Sequence, residues 1–381
     1  MQFGLFLTMP AASPRPAGES YARAMDMACS AEALGFSHFW LAEHHFTNYS
    51  HSSRPLLLLA HIAARTHRIR LGPAIVPVPL HHPLTIAEEI ATLDVLSRGR
   101  AELGIGMGYQ RYQYERFQIN RTTNVQRDEE AQELLLTALR RPSFSFAGNH
   151  FTTPPTHLVP QPMQRTMPVW MVVNSSKRQS IERAVAHGAN MFTGVLEPIS
   201  RLTNPRLAYP DLAPRLVGLR VGTQRPVYVA ENEADAADAI AQARWNGSAT
   251  WRMRFCQGGV VDGHVPVEAI PGEPSDAQLR DDHLIIGNTD ECIHQLRRIR
   301  EGLGCDYFSA SFWFGDLSHP RVLASMRRFA HDVMPVLQQD AARAVPTTHL
   351  ISVDRSDTRT RVPRGYYFFI QTGMRNVLTS H

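Results

Sequence analysis

Apolar runs and segments of helical period alternate along most of the chain, and this alternation predicts its secondary structure. Short apolar runs are typical of strands, whereas apolar residues recurring every three to four positions are typical of helices. The predicted strands are 3–7, 39–42, 69–76, 101–105, 169–173, 190–193, 226–230 and 307–311. The predicted helices are 20–34, 55–66, 84–97, 128–140, 177–187, 233–245, 289–302 and 320–337, with a hairpin near 144–151.

Eight strands that alternate with helices predict an α/β protein with a parallel sheet. At this length, closure into a (β/α)8 TIM barrel is favoured over an open doubly wound sheet. The turn after the first strand supports the barrel, because it begins Met9-Pro10-Ala11 and lacks the G-x-G-x-x-G signature of open dinucleotide-binding sheets.

Two segments interrupt the alternation. Residues 247–282 are rich in Gly and Pro and are too long for an ordinary connection, so they predict a lid loop or an insertion. Residues 339–381 show no clear period, although 364–370 are apolar. The predicted organisation is therefore one barrel over 1–338 that includes the insertion, followed by a C-terminal tail of unknown role.

Composition supports a folded protein. Of the 381 residues, 43% are hydrophobic and 19% are charged, which is enough apolar material for a large core and excludes disorder for the bulk of the chain. No apolar run approaches the roughly 18 to 20 residues that cross a bilayer. The first residues also lack the features of a secretion signal. We therefore expect a cytoplasmic protein without membrane contact.

The charge pattern and the cysteines exclude two further classes. Net charge is +4, but Lys177 is the single lysine among 39 basic residues, and the arginines are spread among acids rather than gathered in a stripe. This distribution argues against nucleic-acid binding. The four cysteines stand far apart without a C-x-x-C pair, so we expect reduced thiols rather than a zinc site or disulfides, at Cys29, Cys256, Cys292 and Cys305.

Candidate chemistry follows the second predicted strand, in Trp40-Leu41-Ala42-Glu43-His44-His45-Phe46. Active sites of barrels gather at the C-terminal ends of the strands. Because strand side chains alternate, only one of the two histidines can face the barrel axis, where it could transfer protons near neutral pH. The alternatives are a hydrogen-bonded loop histidine and a metal ligand. Absence of H-E-x-x-H and of H-x-H on the first strand argues against a metal.

Three other strand ends could contribute to the same site. The prolines after the third strand require it to end by about Ile75. Gly104, Gly106 and Gly108 stand at alternate positions and would let a flat ligand, or another backbone, come close. Asn174-Ser175-Ser176 precede a helix, where hydroxyls and free N–H groups suit either a phosphate or an ordinary helix cap.

Several of these stretches resemble the bacterial luciferase-like flavin monooxygenases. The resemblance covers about residues 1–338 and is strongest over 32–108. It is carried by short motifs in one order: Glu43-His44-His45-Phe46, Ile69-Arg70-Leu71-Gly72, His82-Pro83, Ala87-Glu88-Glu89, Leu93-Asp94, Leu96-Ser97, Gly99-Arg100, Gly287-Asn288-Thr289 and the 322–335 segment.

The resemblance implies a (β/α)8 barrel that binds reduced FMN (FMNH2), delivered by a separate flavin reductase. In this family O2 adds at the flavin C4a, and the (hydro)peroxyflavin oxygenates a small-molecule substrate. His44 matches the catalytic acid–base, with His45 and Glu43 as neighbours that orient it. The family also implies a homodimer, whereas the substrate cannot be read from the sequence.

The same resemblance implies cofactor contacts. A non-prolyl cis peptide is expected at Ala74–Ile75 beneath the isoalloxazine, and Ser175 and Ser176 match the phosphate-binding turn. With the residues beside them, the predicted cofactor set is Ala74, Ile75, Gly106, Met107, Tyr109, Asn174, Ser175 and Ser176. Bulky residues at the strand ends predict a substrate pocket, with barrel core as the alternative, at Phe6, Trp40 and Phe46.

Two positions depart from the family pattern. Gly106 stands where the luciferase has a cysteine near the flavin, so that cysteine's role is absent here. Met107 stands where many relatives carry an arginine that pairs with the flavin phosphate, and losing such a contact would weaken FMN binding. The sequence offers Arg111, one helical turn on, as a substitute.

Two other functions remain open at this point. One is an F420-dependent oxidoreductase of the same superfamily, which would transfer hydride without oxygen. The other is a non-catalytic flavin-binding partner subunit, against which the retained Glu43-His44-His45 argues.

Overall fold

The computed structural model describes residues 1–120, 125–195, 197–255, 259–268 and 270–343. Residues 1–343 form one compact unit, and most of the predicted tail lies outside the described residues. Cys256 also lies outside them, whereas Cys29, Cys292 and Cys305 carry free thiols. Across the described residues, every helix is too short or too polar to span a bilayer.

The strands, in chain order, are β1 Gln2–Leu7, β2 His38–Leu41, β3 Arg70–Pro73, β4 Val76–Pro77, β5 Leu103–Gly106, β6 Ser143–Ala147, β7 Thr152–His157, β8 Val169–Val173, β9 Asn190–Thr193, β10 Val221–Val229, β11 Ile285–Gly287 and β12 Tyr307–Ser311. The helices are α1 Ala17–Ala33, α2 Pro55–Ala63, α3 Pro83–Leu96, α4 Arg111–Arg116, α5 Val125–Arg140, α6 Arg178–Ala186, α7 Pro205–Ala208, α8 Glu233–Phe255, α9 Asp276–Asp282, α10 Thr289–Leu303, α11 His319–Arg328 and α12 Met334–Arg343.

Nine parallel strands form the wall of a nearly closed barrel. Their order is β3-β2-β1-β12-β10-β9-β8-β5-β4, and β11 adds to β10. An isolated parallel bridge between Leu71 and Ala101 brings β3 beside the start of β5 and so nearly completes the ring. The antiparallel pair β6–β7 is the predicted hairpin. The predicted TIM barrel is therefore confirmed.

Aromatic side chains fill the part of the barrel interior that lies away from the C-terminal ends of the strands. Trp170 stacks on Phe192 with ring centroids 4.4 Å apart, and the Trp40 Nε1–H donates to the Tyr307 hydroxyl at 2.7 Å. The Glu102 carboxylate accepts from His38 and Trp170 in the same layer. The large rings pack against one another and the polar groups hydrogen-bond to one another. This part of the barrel is therefore a closed core.

The barrel opens above that layer. Val172 lies two residues beyond Trp170 on the same strand face and pairs in register with Phe192, yet its side chain is 47% exposed. An apolar inner-face residue is exposed there because space remains above the aromatic layer, on the side where the strands end. This is the side on which barrel active sites form.

The structure changes some of the predicted elements. The seventh strand is longer than predicted, β11 was missed, and α8 runs on to Phe255, so the first part of the 247–282 segment is helical. Residues 261 and 264 then form a bridge, and α9 ends the segment. A lid function for this segment stays a prediction. The cis Ala74–Ile75 peptide is confirmed.

Candidate functional site

The loop after β2 carries the predicted Glu43-His44-His45 motif into the open end of the barrel. The His44 N–H donates to the Ser52 carbonyl at 3.0 Å, and Phe46 adopts a left-handed φ of 66°, which turns the chain away from the strand direction. Glu43, His44 and His45 are all buried. We call Glu43, His44, His45 and His81 the histidine cluster.

Glu43 is the shared acceptor of the histidine cluster. Its Oε1 lies 2.9 Å from the His45 Nε2 and also accepts from the His81 Nε2. Arg54 donates to the His81 Nδ1 at 3.1 Å, so that nitrogen carries no proton and the His81 proton sits on Nε2, facing Glu43. Burial raises the pKa of Glu43, but the hydrogen bonds from His45 and His81 outweigh it and hold the pKa below its ordinary value.

His44 is held as a neutral imidazole. Burial is the main cause that lowers its pKa to about 3, with a contribution from His45 that Glu43 opposes. The Gln113 amide, which also donates to Gln110, lies 3.2 Å from the His44 Nδ1. Because that amide nitrogen can only donate, Nδ1 accepts and the proton of neutral His44 is on Nε2. The arrangement presents a single N–H donor at neutral pH.

Two tyrosines connect His44 to α8. Tyr49 and Tyr109 present their rings edge-on to the imidazole, and their hydroxyls lie 3.2 Å apart. The Thr250 hydroxyl on α8 lies 2.9 Å from the Tyr49 hydroxyl. Burial is the first cause that raises the pKa of both phenols, so both stay protonated. The end of α8 beyond residue 245 is therefore part of the site's wall.

The histidine cluster also has the atoms of a metal site. Donor atoms of Glu43, His45 and His81 all lie within 4.8 Å of one another. Two imidazoles and a carboxylate are ligands that transition metals accept. In the observed arrangement the two Nε2 atoms instead hydrogen-bond to Glu43, so a metal would have to displace a proton from each.

A second cluster lies where β5 and β8 end. Met107 follows β5, and its sulfur is 3.5 Å from the Gln132 Nε2 and 4.0 Å from an Nη2 of Arg183. Arg183 donates to the Gln132 Oε1 at 2.7 Å. Asp128, one turn before Gln132 on α5, is fully buried, and neither carboxylate oxygen has a hydrogen-bond partner among the described residues. We call Met107, Asp128, Gln132 and Arg183 the arginine cluster.

The predicted phosphate turn lies between β8 and α6. Asn174 caps it, because its Oδ1 accepts from both the N–H and the hydroxyl of Ser176. The Ser175 hydroxyl is buried, donates to Glu197 at 2.9 Å and accepts from the Thr203 N–H at 3.1 Å. Ser176 is exposed, so of the two serines it is the one a ligand can reach.

The predicted pocket residues occupy three different environments. Trp40 is fully buried in the aromatic layer, and Phe6 belongs to the same apolar cluster. Phe46 is 50% exposed and packs on His45 and Phe117. Burial of Trp40 favours a packing role, and the pocket assignment of all three residues stays a prediction.

Space and polarity at the open end fit a flat heteroaromatic ligand. A Cβ on Gly106 would meet the Ile75 side chain at 3.1 Å, so the glycine leaves space beside the cis Ala74–Ile75 peptide. Gln224 shares a barrel face with Gly222, which pairs with Phe192, and its buried Nε2 has no acceptor among the described residues. A buried donor without an acceptor fits a ligand that carries ring carbonyls or nitrogens.

Sequence reasoning found Glu43, His44 and His45 but missed most of the residues that hold them. His81 was visible only as part of a proline-rich loop, and Tyr49, Gln113, Gln132 and Arg183 gave no local signal. Arg111, the suggested substitute for the lost arginine, has a side chain 65% exposed and pairs with Glu115 at 2.8 Å. That i,i+4 spacing was readable in advance.

Comparison with known proteins gives a family match. The family model described as luciferase-like monooxygenase matches residues 1–307. The chain is 32% identical over 308 residues to the uncharacterized protein y4wF of Sinorhizobium fredii, covering 78% of this chain and 86% of that one. It is 26% identical over 354 residues to the oxygenase component of a flavin-dependent trigonelline monooxygenase from Acinetobacter baylyi, covering 89% and 96%.

Solved structures share the fold at lower identity. The monooxygenase RslO1 from Streptomyces bottropensis has a TM-score of 0.76 at 23% identity, covering 88% of this chain and 100% of that one. The FMN complex of the oxygenating constituent of 3,6-diketocamphane monooxygenase from Pseudomonas putida has 0.69 at 17%, covering 88% and 98%. An F420-dependent secondary alcohol dehydrogenase has 0.66 at 16%, covering 88% and 98%. At these identities the likeness establishes the fold alone.

Proposed function

The chain belongs to the luciferase-like monooxygenase family, and on this premise we propose that it is the oxygenase component of a two-component, FMNH2-dependent monooxygenase. It would use O2 to oxygenate a small organic substrate, with His44 as the acid–base. The trigonelline monooxygenase relative supports this assignment, because it is itself the oxygenase component of a flavin-dependent system.

The observation that carries the proposal is the state of His44. A neutral imidazole with its proton on Nε2, buried at the open end of the barrel, can donate a hydrogen bond without adding charge to the site, and as an acid–base it would take up a proton before giving one back. Glu43 keeps His45 and His81 in fixed orientations beside it. These contacts support a site that handles protons on a bound oxygen-activating cofactor.

The cofactor residues divide into a ring site and a phosphate site. Ala74, Ile75, Gly106 and Tyr109 would lie against the isoalloxazine, and the 174–176 turn with Met107 would lie at the phosphate end. Reduced FMN, when bound, would supply the two electrons that activate O2. The chain's own part is to position the ring beside His44 and to exclude water, which Tyr49, Tyr109 and α8 favour by their packing.

An anaerobic titration tests the assignment. We expect FMNH2 to bind the purified chain. When a flavin reductase, 18O2 and a panel of small organic compounds are added, we expect one compound to give a product that contains 18O. Failure of FMNH2 to bind would contradict the proposal. Binding and labelled product in wild type, with label lost in His44→Ala, would support it.

F420-dependent hydride transfer is the second candidate. The specific observation in its favour is the fold shared with an F420-dependent alcohol dehydrogenase, together with Met107 in place of an arginine. An F420 enzyme would turn over under strict anaerobiosis. Substrate conversion that requires O2 therefore separates the two candidates.

Partners are part of the proposal. We propose that a separate reductase supplies the reduced flavin. The trigonelline relative supports this, because it is named as the oxygenase component of its system, which implies a second component there. A homodimer and a cytoplasmic location are proposed from the family resemblance alone.

A further inference from the structure

Gln224 on β10 is a buried amide that the fold leaves without a partner. Its side chain is 6% exposed, and its Nε2 has no hydrogen-bond acceptor among the described residues. Ser309, which pairs with it in register on β12, does not accept from it. A buried donor without an acceptor lowers the stability of a fold, and a ligand that supplies an acceptor would remove that cost.

Open space lies beside Gln224. Gly222 pairs in register with Phe192, so Gln224 and Gly194 each stand two residues beyond a paired position. Over the part of the chain that the structure describes, a Cβ built on Gly194 would meet no neighbouring atom within 4 Å. Val172, which pairs with Phe192 from the other side, is 47% exposed. The aromatic layer is therefore the floor of a space whose wall includes Val172, Gly194 and Gln224.

Arg225 fixes the two backbone segments that form this wall. Its Nη1 donates to the carbonyls of Gly194 and Gln224, both at 2.9 Å, and its Nη2 donates to the Glu197 carbonyl at 2.6 Å. Because neighbouring side chains of a strand point to opposite faces, Arg225 lies behind the wall while Gln224 faces the barrel interior. The group that Gln224 offers to a ligand is therefore a neutral amide on a fixed backbone.

The space lies across the barrel mouth from the proposed ring site. Strand β10 stands fifth in the nine-strand order, four places from β3 and four places from β4. The proposed ring site uses Ala74, Ile75 and Gly106, which belong to the β3–β5 side. A flat ring against that side would leave the Gln224 side of the mouth to the substrate.

We propose that Gln224 determines substrate specificity by donating a hydrogen bond from Nε2 to the substrate, whose ring occupies the space beside Gly194. The substrate class is a small ring compound that carries a neutral carbonyl oxygen. This inference rests on the proposed function, because it takes the ring site to be filled by flavin. A hydrocarbon of the same shape would leave the amide unpaired in the complex, and a site of this kind discriminates against such a ligand.

The stability of the free protein tests whether the donor is unpaired. We expect Gln224→Leu to raise the denaturant midpoint of unfolding, because leucine has a similar size and carries no unsatisfied N–H. Gln338→Leu, at an exposed position on α12, is the matched control and should not stabilise the fold. A Gln224→Leu variant that is less stable than wild type would show that the amide has a structural partner and would overturn the inference.

Ligand pairs that differ only in the acceptor test the specificity. Anaerobic calorimetric titrations of the FMNH2-loaded protein compare acetophenone with α-methylstyrene, and cyclohexanone with methylenecyclohexane. We expect wild type to bind the ketone of at least one pair roughly 5-fold more tightly than the hydrocarbon, the size of one neutral hydrogen bond, and Gln224→Leu to lose that preference. No preference in wild type, or a preference that survives in Gln224→Leu, would overturn the inference.

Gly194 tests where the ring of the ligand lies. Gly194→Leu would fill the open space without meeting a neighbour at its Cβ, so we expect it to fold and to weaken the ketone and the hydrocarbon equally. Gly18→Leu, at an exposed glycine of α1 with equally free space, is the matched control and should leave both affinities unchanged. Wild-type affinities in Gly194→Leu would place the ligand elsewhere and contradict the proposal.

The outcomes separate this inference from the proposed function. Gln224→Leu should leave FMNH2 affinity unchanged, and a loss of FMNH2 affinity there would show that the amide binds the flavin instead. If wild type does not bind FMNH2, the proposed function fails, and the same titrations are made on the flavin-free protein. A ketone preference that depends on Gln224 would then still support the ligand site, and its absence would overturn it.

Discussion

The histidine cluster and the arginine cluster both lie at strand ends of the barrel, but they handle buried charge in opposite ways. In the histidine cluster the Glu43 carboxylate accepts from two imidazoles, and these hydrogen bonds outweigh burial to keep its pKa low. In the arginine cluster the Asp128 carboxylate has no hydrogen-bond partner among the described residues, and burial raises its pKa to about 6.

The difference lies in how each buried carboxylate is stabilised. A fully bonded network fixes which nitrogen of each imidazole carries a proton, and this suits acid–base chemistry. A buried carboxylate without hydrogen bonds carries an uncompensated desolvation cost instead. The comparison therefore favours the histidine cluster for the proposed acid–base role and predicts that Asp128 lowers the stability of the fold.

The largest expected effect comes from removing the proton donor. We expect His44→Ala to lower oxygenation at least about 100-fold, the usual contribution of a positioned acid–base group, while the protein stays folded. Product formation with 18O2 and circular dichroism measure the two properties. The exposed His61→Ala, on α2, is the matched control and should keep wild-type turnover. Equal turnover in His44→Ala would remove His44 from the chemistry.

The second prediction tests whether the hydrogen bonds from His45 and His81 stabilise the buried Glu43 carboxylate. Glu43→Gln takes away the charge that two imidazoles share, and we expect the free energy of unfolding to fall by roughly 2 kcal/mol. Denaturant titration measures the change. If the free energy of unfolding stays at the wild-type value, the hydrogen bonds to Glu43 do not offset the cost of burying its charge. The contrast with Asp128 would then disappear.

Asp128→Asn should act in the opposite direction. The Asp128 pKa of about 6 lies above the ordinary 3.8, so the folded state holds a proton that the unfolded state releases between these two values. Stability from this group is therefore present at low pH and is lost as pH rises through about 6. We expect Asp128→Asn to stabilise the fold by about 1 kcal/mol at pH 8, with little change at pH 4.

Denaturant titrations of wild type and Asp128→Asn from pH 4 to pH 8 measure this difference. A variant less stable than wild type at pH 8 would show that the carboxylate has a favourable partner, contrary to its unbonded state here.

The smallest expected effect comes from Gly106, which lies outside both clusters. An added methyl at Gly106→Ala would meet the Ile75 side chain, at 3.1 Å from its Cδ1 and 3.3 Å from its Cγ1. We expect a stability cost below about 1 kcal/mol and a few-fold loss of flavin affinity, because the methyl points into the proposed ring site. Thermal unfolding and flavin titration measure the two quantities. Unchanged flavin affinity would place the ring elsewhere.

The barrel and the histidine motif could be predicted from sequence, because both depend on local patterns. Alternating apolar runs indicated the strands, and adjacent Glu43, His44 and His45 stood at a strand end. Trp40 shows the limit of that rule, since it lies four residues before His44 and belongs to the closed aromatic layer. A strand end identified in sequence does not say how deep each side chain lies.

The arginine cluster could not be predicted because its members meet only in the folded chain. Met107 follows β5, Asp128 and Gln132 are on α5, and Arg183 is on α6, more than fifty residues from Gln132. Local reasoning selected Arg111, one turn from Met107, but its i,i+4 partner Glu115 takes up that charge. Contacts between separate elements therefore determine which side chains surround Met107, and the local pattern does not show them.

The proposed function requires a neutral His44 to act on reduced FMN bound at this barrel mouth. Its most direct test is to mix the anaerobic protein–FMNH2 complex with O2 by stopped flow and to follow flavin absorbance in wild type and His44→Ala. We predict that wild type reoxidises bound flavin in more than one phase, and that the last phase changes in His44→Ala. Absence of FMNH2 binding, or one phase at the rate of free flavin in both proteins, would contradict the claim.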